Sequence, residues 1–157
     1  NEYDYTVQID GDGQHDPAYI EEMLDEMLKD KADIAIGSRF IQKKGFQSSK
    51  LRRTGISFLS MLIRICTGKK IYDVTSGYRI ANAKYSRIFA QDYSRDYPEP
   101  EAIVTAVAWG AKIIEFPVEM KERKMGTSSI SPVRSVYYMI KVTLAIIIRR
   151  ISYGVRR

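Results

Sequence analysis

Val7-Gln8-Ile9-Asp10-Gly11-Asp12-Gly13-Gln14-His15-Asp16-Pro17 is the stretch on which the reading of this chain turns. A short β-prone run, residues 5–9, ends in two aspartates separated by one glycine. Asp16 follows as a helix N-cap and Pro17 as a first helical residue, the position where a missing N–H costs nothing. Carboxylates at the end of a buried strand, on a glycine-loosened turn, suit a hard divalent cation better than a core. Such a cation takes oxygen ligands, and Mg²⁺ needs only one or two carboxylates when substrate phosphates complete its shell.

Outward from this turn, residues 19–29 carry Ile20, Met23, Leu24, Met27 and Leu28 at i, i+3, i+4 spacing, which predicts a helix to Lys29. Residues 32–38 read as a second buried strand. Strand, helix and strand of these lengths predict a βαβ unit with parallel strands. Residues 40–51 are polar and basic and read as a loop. Residues 52–67 align Ile56, Leu59, Ile63 and Cys66 on one helical face, with Gly68 beyond the end as a C-cap. Residues 71–79 are turn-rich, 84–90 form a short helix, and 93–100 a loop. A helix over 101–109 stops at Gly110. Residues 112–120 form a strand whose Pro117 places it at an edge or bends it there, and 122–129 form a polar loop.

Ser131-Pro132 opens a long helix to about residue 153. Its longest uncharged run, 142–148, is too short to span a bilayer, which takes about 20 residues. Arg134, Lys141, Arg149 and Arg156 fall on one stripe, with Val133, Val136, Tyr137, Ile140, Leu144, Ile147 and Ile151 opposite. That pattern fits a basic amphipathic helix lying in a membrane interface, or a helix packed on its own domain or on a sister chain.

Length and composition agree with one globular domain: 157 residues, 45% apolar and 28% charged. The formal charge of +6 suits phosphate-rich partners such as nucleotides, nucleic acid or an anionic membrane, or else is a solvated surface without function. One cysteine, Cys66, and one histidine, His15, exclude an internal disulfide and a Cys/His zinc site. Cys66 reads as a small buried hydrophobe in a reducing compartment. The chain enters a strand almost at its first residue, so it is expected to be the C-terminal part of something longer.

Three metal-using families compete for the aspartates. A calcium loop of the EF-hand type would need glycine at His15 and a helix before the loop. A haloacid-dehalogenase-type phosphatase would need Thr or Val at Gln14 and a later Gly-Asp-x-x-x-Asp, which the chain lacks. The third fits. Asp10-Gly11-Asp12-Gly13-Gln14-His15-Asp16-Pro17 resembles the DxD region of family 2 glycosyltransferases, nearest the dolichyl- and polyprenyl-phosphate sugar transferase branch. The likeness continues in order through Gly37-Ser38-Arg39, Arg52-Arg53, Asp73-x-x-Ser76-Gly77-Tyr78-Arg79, Glu101, Gly110, Phe116-Pro117-Val118 and Glu122-Arg123-x-x-Gly126-x-Ser128-Ser129.

The resemblance implies an α/β fold, part of a GT-A domain with a mixed sheet over 1–130, followed by the amphipathic helix of 131–157. It implies a UDP- or GDP-sugar donor, Mg²⁺ or Mn²⁺ held by Asp12 and Asp10, and inversion at the anomeric carbon. It also implies a missing N-terminal nucleotide-binding half, so residues 1–157 alone are expected to bind nucleotide poorly. The donor diphosphate would meet Asp10, Asp12, Gln14, Arg123 and Ser128. The Gly/Ser loop with Arg123 at its base reads as a lid over the leaving group. Matching positions in the lipid-phosphate branch make Arg39, Arg53 and Ser57 the acceptor-phosphate site. Arginine forks and a helix start are also what a phosphate needs, although any one of these residues could be a solvated charge. Lys43, Lys44 and Lys50 read as general electrostatics.

Asp73 is the resemblance's candidate base for a hydroxyl acceptor. A phosphate acceptor is already nucleophilic at neutral pH, and Asp73 would then orient groups or hold metal, or simply cap its turn. Glu101 is a second catalytic candidate, as base or positioning group, or a helix cap. His15 is expected to support the aspartate turn without a catalytic part. Taken together, the expectation is metal-dependent transfer to a polyprenyl phosphate at the cytoplasmic face of a membrane, with the C-terminal helix on the lipid. Nucleic acid is not an expected partner, and a homo-oligomer is left open. Transfer to a sugar hydroxyl in surface polysaccharide synthesis, or a non-catalytic membrane- or partner-binding fragment, are the alternatives.

Overall fold

The computed structural model describes residues 3–42, 44, 45, 49–92, 98–121 and 132–155, the side chains of 132–135 and 155 excepted. In chain order the elements are β1 (Tyr5–Gln8), α1 (Tyr19–Lys29), β2 (Ile34–Ser38), α2 (Lys50–Thr67), β3 (Arg79–Asn82), α3 (Ala83–Asp92), α4 (Pro98–Ala108), β4 (Ile113–Pro117) and α5 (Pro132–Val155). The strands form one mixed sheet in the order β1-β3-β2-β4.

Alternation along the central strands builds two cores. Ile34 and Ile36 of β2 and Ala81 of β3 face α2, α4 and α5, where Leu59, Ile63, Ile103, Val142 and Ile146 are buried. Ala35 and Ile80 face the opposite way, onto Met23 and Met27 of α1. The result is a helix–sheet–helix sandwich.

The βαβ expectation needs a correction. β1 and β2 run in the same direction, but they are not neighbours: β3 lies between them, antiparallel to both. Four residues with turn residues before them and a helix directly after gave β3 no sequence signature, and burial of its first three residues removed the alternation that marks an exposed strand. β2 pairs in parallel with β4. β4 is an edge strand as expected, with Pro117 at its last position, where one missing donor costs least.

The helix ends follow local chemistry. Asp16 does accept from Ala18 N–H at 3.1 Å, but it caps a tight turn, and α1 proper starts at Tyr19. α2 begins at Lys50, two residues earlier than expected, because Ser49 is an extended N-cap whose hydroxyl accepts from Arg52 N–H. Gly68 ends it with φ +73°, the left-handed conformation glycine adopts without cost. Leu28, expected on the buried face of α1, is half exposed.

α5 also differs from expectation. The face it turns inward carries Val142 and Ile146, with Tyr138 and Met139 beside them. The apolar stripe expected to lie in a membrane interface, or to pack on its own domain or on a sister chain, is exposed to solvent at Val136, Tyr137, Ile140, Leu144, Ile147 and Ile151. Arg149, on the expected basic stripe, is instead drawn into the domain by Asp92 and Glu101.

Candidate functional site

Two sequence motifs that lie 34 residues apart lock together at the sheet ends. Asp73 has no solvent exposure, and Arg39, just past β2, is 6% exposed. The guanidinium forks the carboxylate: Nε donates to Oδ2 and Nη2 to Oδ1, each at 2.6 Å. Arg39 N–H adds a third bond to Oδ2 at 3.1 Å, and Nη2 reaches Thr75 Oγ1 at 3.1 Å. Burying two charges is tolerable here because both carboxylate oxygens are satisfied. The interlock continues with Ser76 Oγ donating to Gly37 O at 2.6 Å and Gly37 N–H donating to Tyr78 O at 2.8 Å. A side chain at Gly37 would press on the Tyr78 ring.

Glu115 of β4 supports the same turn from beneath. Its two carboxylate oxygens accept from Tyr72 and Asp73 N–H, each at 2.8 Å. Burial pushes the Glu115 carboxyl above its usual range against those two donors, and the nearby Asp73 charge pushes the same way.

The aspartate turn is fixed by this scaffold. A Cβ on Gly77 would come within 2.5 Å of Asp10 Oδ1, so only glycine leaves room for that carboxylate. His15, buried edge-on against Tyr78, places Nε2 3.3 Å from Asp10 Oδ2. Tyr78 donates its hydroxyl to Asp16 O at 2.8 Å. Asp12 Oδ1 accepts Gln14 N–H, and Gln14 pairs with Lys121 through its backbone carbonyl and its side-chain amide. Lys121 Nζ also binds Asp16, which holds the Asp16 carboxyl below its ordinary pKa. The Asp10 side chain remains half open to solvent. Two oxygen-donor side chains on one exposed turn fit a hard cation that draws its remaining ligands from phosphate. Among the described residues no cluster of three or more His, Cys, Asp or Glu could enclose an ion.

Beside the fork opens a groove of about 700 Å³, lined along α2 by Lys50, Arg53, Ser57 and Arg64 and on its far wall by Phe40, Lys70 and Tyr72. Phe40 and Tyr72 are the chain neighbours of Arg39 and Asp73, so the groove and the fork share a wall. Among the described residues no carboxylate lines it. Arg53 and Ser57 were expected here. Lys50, Arg64, Lys70, Phe40 and Tyr72 were not, although Arg53, Ser57, Ser60 and Arg64 recur at i, i+4, i+7, i+11, a polar helical stripe readable in the sequence.

Glu101 is elsewhere. It lies in the first turn of α4, its side chain 3.5 Å from Arg149 Nε, in a second cleft with Asp92, Trp109 and Tyr153. Neither the aspartate turn nor the Arg53 groove contributes to that cleft. Arg39 is held by Asp73, with its guanidinium 5.1 Å from the ring centroid of Phe40, which lines the groove. Arg123 and Ser128, with Lys43, lie outside the described residues.

Comparison with known proteins gives the family to which the chain is similar. The family model described as "Glycosyl transferase family 2" matches residues 2–96. The chain is 31% identical over 133 residues to an undecaprenyl-phosphate mannosyltransferase of Micrococcus luteus, covering 82% of this chain and 54% of that protein. It is 29% identical to a polyprenol monophosphomannose synthase of Mycolicibacterium smegmatis, covering 82% and 50%. It is 26% identical to a UDP-N-acetylglucosamine–dolichyl-phosphate N-acetylglucosaminyltransferase of Methanococcus voltae, covering 74% and 47%. The chain thus spans about half the length of the curated relatives it matches.

Removing one partner of the buried fork strands the other. Asp73→Ala is expected to cost about 3–5 kcal/mol in urea denaturation, with Arg39→Met/Asp73→Leu less damaging than either single change. A double-mutant cycle measures this, and additive losses would contradict it. Glu115 gives a pH signature. Its folded-state pKa is raised, so its contribution to stability is complete below the ordinary value of 4.5 and is lost as pH rises through the raised value. Wild-type stability relative to Glu115→Gln should therefore fall as the pH is raised from 4.5 to 7. Parallel stability curves would refute it.

Proposed function

The chain belongs to glycosyl transferase family 2, and from that premise we propose that it carries the metal and acceptor side of an enzyme that transfers a sugar from a UDP- or GDP-sugar to a polyprenyl phosphate. The observation that carries this reading is the groove of Lys50, Arg53, Arg64 and Lys70, lined by no carboxylate among the described residues and lying beside a buried Asp73 whose oxygens are both engaged. A hydroxyl acceptor would need a free base there, and a phosphate acceptor needs none. The names of the relatives, which carry undecaprenyl-phosphate, polyprenol monophosphomannose and dolichyl-phosphate, support the same acceptor class.

In this reading Arg53 and Ser57 hold the acceptor phosphate, and one of its oxygens attacks the anomeric carbon from the face opposite the diphosphate. The new C–O bond forms as the sugar–diphosphate bond breaks, with inversion, and the nucleoside diphosphate departs. Asp12 and Asp10 are the residues that would hold Mg²⁺ or Mn²⁺. Bound there, the cation would neutralise charge on the leaving diphosphate. Gln14 steadies that turn through Lys121. Arg123 and Ser128, on the segment that follows Lys121, are assigned to the departing diphosphate. Asp73 acts as a positioning residue for Arg39, and Glu101 is left to the second cleft. Among the described residues no helix is long and apolar enough to cross a membrane, and the exposed apolar face of α5 supports peripheral attachment at the cytoplasmic face.

The test is transfer of radiolabelled sugar from UDP- and GDP-sugars to polyprenyl phosphate by the protein expressed from its complete reading frame. Asp12→Ala is expected to lower kcat/KM at least about 100-fold, and surviving activity would refute the metal role. Arg53→Ala should raise KM for polyprenyl phosphate about tenfold with little change for the donor. Gly77→Ala should keep the fold but displace Asp10, cutting activity about tenfold or more.

A further inference from the structure

We propose that Glu115 is a positioning residue for the acceptor, acting through the backbone of Tyr72 to hold the Tyr72 ring and the Lys70 ammonium in the groove wall that faces Arg53. The inference rests on reading that groove as the acceptor-phosphate site, and it gives a part to the wall across from α2. Glu115 is the one charged residue of β4, set between Ile114 and Phe116. A carboxylate drawn in among apolar strand neighbours costs desolvation, and it is tolerated where its oxygens are bonded.

In the parallel pairing of β2 with β4, Glu115 lies opposite Ile36. Both side chains therefore rise from one face of the sheet, the face that α2 covers. From there the carboxylate reaches the turn before β3. Oε2 accepts Tyr72 N–H and Oε1 accepts Asp73 N–H, each at 2.8 Å. Ser60 of α2 holds the preceding residue, its hydroxyl donating to Ile71 O. Three consecutive residues are thus tied to two elements, α2 and β4. Ile71 and Asp73 are buried, whereas Tyr72 between them is 44% exposed and lines the groove.

The two amides do not depend on Glu115 equally. Asp73 has anchors of its own, since its carboxylate takes three bonds from Arg39. Tyr72 is held through its backbone, and its ring carries the Lys70 ammonium 4.5 Å from the centroid. Loss of one accepting oxygen therefore falls on Tyr72, and the ammonium follows the ring face it sits on. Both residues line the groove with Arg53 and Ser57. There the ammonium offers a phosphate a second cation, and the ring offers an apolar face to the hydrocarbon beside it. Displacing this wall weakens acceptor binding and leaves the aspartate turn, to which the donor diphosphate is assigned, in place.

The experiment is steady-state sugar transfer to polyprenyl phosphate by the protein expressed from its complete reading frame, comparing Glu115→Gln, Tyr72→Ala, the double variant and Arg53→Ala. Glutamine keeps the shape of Glu115 but turns one of its two acceptors into a donor, so only one of the two amides stays satisfied. Glu115→Gln is expected to raise KM for polyprenyl phosphate about tenfold, with kcat and the donor KM within about twofold of wild type. Tyr72→Ala should raise the same KM by a similar factor, and the double variant no further, because both changes remove one wall. Additive effects, or an equal rise in both KM values, would reduce Glu115 to support of the fold and overturn the proposal. Should circular dichroism show that Glu115→Gln does not fold, Glu115→Asp, which keeps the charge one methylene short, takes its place in the cycle. Arg53→Ala separates two failures. If it raises the acceptor KM and the Glu115 variant does not, the part given to Glu115 is wrong and the phosphate-acceptor reading stands. If neither changes it, both fall.

Discussion

The structure depends on one buried ion pair. Asp73 and Arg39 come from segments that share no strand, and their fork joins the end of β2 to the turn before β3. With the fork in place, Ser76 and Tyr78 bond to Gly37, β3 is inserted between β1 and β2, and Gly77 arrives beneath Asp10. Two charges out of water gain little net stability over an apolar pair of the same volume. What they give is registry: a bidentate fork admits one geometry, and the aspartate turn inherits it.

Function is layered on this frame with few residues. Asp10 and Asp12 sit on the open side of the turn, backed by His15 and Tyr78, so the exposed carboxylates rest on a rigid base. The groove uses one stripe of α2 for charge and the next stripe round the helix for apolar exposure. That adjacency suits an amphiphile, whose phosphate and hydrocarbon must be met by neighbouring surfaces.

Much of this was legible in the sequence, for identifiable reasons. The Asp-Gly-Asp turn was readable because strand, glycine and Asp16-Pro17 are strong local signals. α2 and its Gly68 cap followed from periodicity and a left-handed residue. β3 was not legible, since four buried residues have no period and its partners are distant in sequence. Asp73 and Arg39 were each singled out, but their union was not, because a long-range ion pair leaves no local trace. The reading of α5 left open what its apolar stripe faces. A stripe of Ile and Leu marks an apolar face, yet periodicity cannot say which of two apolar faces turns inward. Val142 and Ile146 settled that through their fit to the α2 and α4 core.

The proposed function rests on recognition of a lipid-linked phosphate by the Arg53 groove. The most direct measurement is titration of the chain with a short-chain polyprenyl phosphate and with the corresponding neutral polyprenol, both in detergent micelles. The phosphate is expected to bind at least about tenfold more tightly, and Arg53→Ala to remove the difference. Equal affinity for the two lipids, or a preference that survives Arg53→Ala, would contradict it.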